Sequence, residues 1–95
     1  MKLPAIHHIE ALVKSLKKDI GDEYRAYEDD TTPSMLVTIG VNPENGDWNY
    51  QTGDNSYSGG AYSFRYWGVT GINRRSNSRS VAKELLEQIA EQVSQ

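Results

Sequence analysis

Arg74, Arg75 and Arg79 surround the start of a helical pattern, with Ser76, Asn77 and Ser78 between them. Guanidinium groups beside side-chain oxygens and the unpaired N–H groups of a first helical turn suit a bound anion: a phosphate, a nucleic-acid backbone or a partner's carboxylates. The same arginines could instead pair with the acidic run Asp22, Glu23, Glu28, Asp29 and Asp30. A second candidate set comprises Tyr57, Arg65 and Trp67. Trp67 with Arg65 could stack bases or anchor a protein partner, or Trp67 could pack over Leu36 as a small second core. Tyr57 is the large contact group of the loop Gly53 to Gly60, whose composition fits both a recognition loop and a flexible connector.

Other chemistries find little support. His7 and His8 are neighbours whose side chains would leave a helix about 100° apart, so they cannot share an ion as an i, i+4 pair can. The acidic run lacks the spaced oxygens and central glycine of a calcium loop. No serine occupies a G-x-S-x-G turn. The glycines of Gly53 to Gly60 lead into another strand pattern, whereas a phosphate-cradling loop opens onto a helix. The expectation is therefore no catalytic residue, no metal and no cofactor, with a small enzyme as the weakest function class.

The elements that must hold these residues follow from periodicity. Ile6, Ile9, Leu12, Val13, Leu16 and Ile20 recur at steps of three and four, which predicts a helix from near Pro4 to Gly21. Val81, Leu85, Leu86, Ile89 and Val93 repeat the pattern, predicting a second helix from about Ser78 to Gln92. Between them the period falls to two. Met35, Val37, Ile39 and Val41 form one face of a strand, Asn42 to Gly46 reads as a tight hairpin, and Asp47 to Thr52 returns with Trp48 and Tyr50 on one face. Tyr62, Phe64 and Tyr66 alternate with Ser63, Arg65 and Trp67 in a last strand that Gly68 and Gly71 bend. Glu23 to Glu28 is read as a charged edge strand, followed by a loop at Asp29 to Pro33.

The predicted fold is α+β: an N-terminal helix, a four-stranded or alternatively three-stranded antiparallel meander, and a C-terminal helix, with both helices on one face of the sheet. Leu12, Leu16, Val37, Ile39, Phe64, Leu85 and Ile89 are expected to be buried together. The opposite face would carry Leu36, Thr38, Asn49, Gln51, Ser63, Arg65 and Trp67.

A chain of 95 residues suits one domain, residues 1–95. It contains no cysteine, which excludes disulfides and thiolate metal sites and fits a reducing cytoplasm. No secretory signal is apparent in the first twenty residues, and no stretch approaches the ~20 apolar residues of a membrane span. The net charge of −3 argues against wholesale nucleic-acid coating while leaving room for a local basic patch.

Ser78-Arg79-Ser80-Val81-Ala82-Lys83 resembles the basic opening of the second helix in double-stranded-RNA-binding domains, which also place helices before and after a meander. The resemblance covers those six residues and the element order. It departs at the motif's second basic position, which is Ser80 here, and at the loop Asn42 to Gly46, so no family assignment follows. The leading expectation is a non-catalytic intracellular module for an unknown protein partner. The alternative is an RNA- or phosphate-binding domain using Arg74 to Arg79.

Overall fold

A computed structural model describes residues 2–23, 35–53 and 60–94. In chain order these form helix α1 (Ile6–Glu23), strands β1 (Met35–Asn42), β2 (Asp47–Thr52) and β3 (Tyr66–Ile72), and helix α2 (Ser78–Ser94). A 3-10 helix, Gly60–Ser63, lies between β2 and β3. The fold is α+β, with a three-stranded antiparallel sheet that lies between the two helices in chain order. Helix α1 continues through Gly21 to Glu23, because one glycine costs a helix only about 1 kcal/mol and does not forbid another turn. Glu23 therefore belongs to α1 and not to an edge strand. Tyr24 to Glu28 and the loop Asp29 to Pro33 lie outside the described residues.

Ile9, Val13, Leu16 and Ile20 of α1 meet Val81, Ala82, Leu85 and Ile89 of α2 and Val37, Ile39, Val41 and Ile72 of the sheet in one buried cluster. The strand residues all belong to one face: Val37, Ile39 and Val41 alternate along β1, and Ile72 pairs across from Met35. Both helices thus cover this face. Leu12 is half-buried and packs against the cluster.

One residue expected in this core is elsewhere. Phe64 lies on the opposite face, where its Cβ would be 2.9 Å from a Cβ built on Gly40. Tyr50 pairs with Ile39 and shares the helix-covered face, yet is 42% exposed, because it stands on the outer strand β2 while α2 packs over β3, beyond β1.

The sheet order is β2-β1-β3, so the strands do not form a meander. Both β2 and β3 run antiparallel to β1, and hence parallel to each other. Parallel strands cannot be joined by a tight turn and need about a dozen or more connecting residues, which residues 53–65 supply. The 3-10 helix of this connection lies on the face opposite α1 and α2. Ala61 is fully buried there, and a Cβ on Gly40 would collide with the Ala61 carbonyl oxygen. The segment read as the start of the last strand is therefore this helix and the bend after it. Pairing with β1 begins only at Tyr66.

The hairpin between β1 and β2 forms as its residues suggest. Gly46 has φ +82° and donates its N–H to the Asn42 carbonyl at 2.8 Å. Asn42 Oδ1 and Asn45 Oδ1 accept from the N–H groups of Glu44 and Asp47, holding the turn with side chains as well as backbone.

Candidate functional site

Strand register decides which side chains share the face opposite α1 and α2. Gly40 stands between Asn49 and Trp67, Thr38 between Gln51 and Val69, and Leu36 opposite Gly71. Trp67 and Leu36 are four positions apart along the ladder, or about 13 Å at strand rise. They cannot form the small second core. Trp67 instead faces a glycine and remains 41% exposed. Thr38, expected on an open surface, is 2% exposed.

A recess of about 300 Å³ is lined by Val41 to Glu44 of the hairpin and by Ser63 to Tyr66, the residues just before Trp67 in the chain. Arg65 does not alternate with Trp67 on a strand face. It lies in the bend before β3, and its guanidinium carbon sits 5.3 Å from the Tyr66 ring centroid, a cation–π distance. The aromatic and the cation are thus near one another in the chain but face different neighbours. Tyr57 lies outside the described residues.

The residues proposed for anion binding are largely engaged within the fold. Asn77 caps α2: its Oδ1 accepts from Ser80 N–H at 2.9 Å and its carbonyl from Val81 N–H at 3.0 Å. Ser76 Oγ accepts from Asn73 N–H, and Asn73 Oδ1 accepts from Arg75 N–H, which closes the loop on itself. Ser78 is buried. Arg79 reaches Glu10 of α1 at 3.7 Å, and Lys14 also approaches Glu10, at 3.9 Å. Arg74 is half-buried and Arg75 exposed. The six residues share one loop and helix start.

This cap has a measurable consequence. Asn77→Ala should cost about 1 kcal/mol, lowering the thermal midpoint by roughly 4–8 °C, whereas Asn77→Asp should retain most of the stability because its carboxylate can accept the same bond. Equal losses in both variants would show that Asn77 acts through something other than the cap.

No protein-family model, curated protein or solved structure matches the chain. The resemblance of Ser78 to Lys83 to double-stranded-RNA-binding domains is thus not extended, and the sheet order separates the two further, since the meander is absent. Among the described residues no group of three or more His, Asp or Glu side chains could hold a metal ion. The His7 and His8 rings lie in tilted contact, with centroids 4.3 Å apart and planes 58° from parallel. No described helix is long and apolar enough to cross a membrane.

Sequence reasoning passed over Gln88 and Gln92. Gln88 Oε1 accepts from Val69 N–H at 2.9 Å while its Nε2 donates to the Val69 carbonyl at 3.0 Å. Gln92 does the same for Trp67. The available signal was two amides at i, i+4 directly beside Leu85 and Ile89, on the margin of the apolar stripe.

Proposed function

We propose that the protein is a non-catalytic binding module that docks a protein or peptide partner over Trp67 and the recess lined by the residues just before it. The observation that carries this reading is the exposure of Trp67 on a strand held from both sides, by β1 and by the glutamines of α2. The backbone beneath this aromatic is already ordered and loses little further freedom on binding, and tryptophan anchors dominate many interfaces. Glu44 and Arg65, at the recess, offer polar contacts of both signs at its rim. A cytoplasmic setting suits a chain with no cysteine. Polyanion binding at Arg74 to Arg79 has weaker support, because Arg79 is drawn to Glu10 and the loop's oxygens are taken by its own backbone.

The test is selection of a phage-displayed linear peptide library on the purified protein. Trp67→Ala should weaken the selected peptides at least about tenfold while leaving the circular dichroism spectrum intact, and affinity should change little with salt. Undiminished binding by Trp67→Ala would refute the reading. So would heparin binding at low salt that survives Trp67→Ala and is lost in the Arg74→Ala, Arg75→Ala double variant, which would place the function at the start of α2.

A further inference from the structure

The order β2-β1-β3 leaves β3 at an edge of the described sheet. In an antiparallel ladder both backbone groups of a residue point to the same side, and alternate residues point outward. On β3 the outward residues are Trp67, Val69 and Gly71, and the N–H and carbonyl groups of the first two bond to α2. A bare edge here would be hazardous. Tyr66-Trp67-Gly68-Val69-Thr70 carries no charge and is rich in residues that favour strands, the composition that recruits another strand.

We propose that Gln88 and Gln92 are strand surrogates that prevent two copies of this chain from pairing through β3. A primary carboxamide is the neutral side chain that presents a donor and an acceptor side by side, as a peptide group does. Their spacing also fits. Residues i and i+4 of a helix are about 6.0 Å apart along its axis, and residues i and i+2 of an antiparallel strand about 6.8 Å, so successive glutamines meet successive outward residues. Gln92 Nε2 also donates to the Gln88 carbonyl at 3.1 Å, joining the two surrogates. One turn earlier the series ends at Glu84, which is within 3.5 Å of the Thr70 hydroxyl. An ionised carboxylate only accepts, so it cannot satisfy a strand residue's N–H and carbonyl together. At the opposite edge, Asn49 Oδ1 accepts from Tyr50 N–H at 2.8 Å, so β2 also shields an outward donor with its own side chain.

The test compares the full chain with Gln88→Ala, Gln92→Ala by sedimentation and amide hydrogen exchange. The double variant should keep its helical circular dichroism and self-associate at least tenfold more tightly than the unmodified chain, sedimenting at twice its mass at high concentration. The Trp67 and Val69 amides should exchange faster when it is diluted to the unpaired state. Adding Trp67→Lys should return the mass to that of the unmodified chain, because a charge on the edge opposes pairing. An unchanged mass overturns the proposal, even with faster exchange, since the glutamines would then serve only the chain's own stability. If the double variant does not fold, Gln92→Ala alone, in the last turns of α2, should show the same shift to a smaller degree. Sedimentation of that variant identical to the unmodified chain would likewise overturn it.

Discussion

Leu85→Ala should destabilise the protein by about 2–5 kcal/mol, the range for removing a fully buried leucine side chain. Leu85 has no exposed surface, and its cluster gathers residues from α1, α2 and the sheet. The position within that range depends on how far the surroundings can close around the cavity. At this residue they have little freedom. A Cβ on Gly68 would lie 2.6 Å from the Leu85 carbonyl oxygen, so the helix backbone is already against the strand and cannot move inward. The upper half of the range is therefore expected. With a urea slope of about 1–3 kcal/mol/M, the midpoint should fall by about 1 M or more. Leu86→Ala, at a half-buried position, should cost less. A midpoint unmoved by Leu85→Ala would mean that α2 is not docked on the sheet through this side chain.

The two helices and the first hairpin were legible because their signals are local. Ile9, Val13, Leu16 and Ile20 are spaced as one helical stripe, and Met35 to Val41 as one strand face, whatever lies beside them. Asn42 to Gly46 carries its turn in its own residues. The path of β3 was not legible. Alternation tells which face a side chain occupies, but it does not tell which strand lies alongside, and a hairpin and a crossover can present the same pattern. Tyr62, Phe64 and Tyr66 extend the alternation upstream, yet the chain must first cross the sheet, so Gly60–Ser63 becomes a 3-10 helix over Gly40.

The candidate surfaces divide in the same way. Trp67 was correctly placed on the face away from the helices, because its position within the strand determines that. The grouping of Arg74, Arg75 and Arg79 is close in sequence, yet Arg79 is directed by the packing of α2 on α1, which brings Glu10 within reach. Gln88 and Gln92 carry no motif. Their role depends on which strand forms the sheet edge, and only the topology reveals that.

Gly68→Ala should be the second severe substitution, and comparison with Gly40→Ala separates the two sides of the sheet. Replacing glycine with alanine lowers the entropy of the unfolded chain, which by itself would stabilise by about 0.4–1 kcal/mol. Steric conflict must exceed that gain. At Gly68 the added methyl meets the Leu85 carbonyl oxygen at 2.6 Å and the Leu85 carbonyl carbon and Cα at 3.2 Å, all backbone atoms that no rotamer change can remove. Shifting α2 away would loosen the burial of Leu85 and Ile89 and stretch the bonds from Gln88 and Gln92 to β3. A net loss of about 1–3 kcal/mol or more is expected, with faster exchange of the Trp67 and Val69 amides. At Gly40 the approach to the Ala61 carbonyl oxygen is closer still, but the obstacle is a single 3-10 turn. That turn can yield while exposing less apolar surface than a displaced helix of the main core would. Gly40→Ala should therefore cost less stability and leave the Val69 amide protected, while weakening peptides bound at Trp67 and the recess because Phe64 must move. If Gly68→Ala is as stable as the unmodified chain, the close contact between α2 and β3 is wrong. If Gly40→Ala is the more damaging of the two, the far face contributes more to holding the fold than the burial of Ala61 and Thr38 indicates.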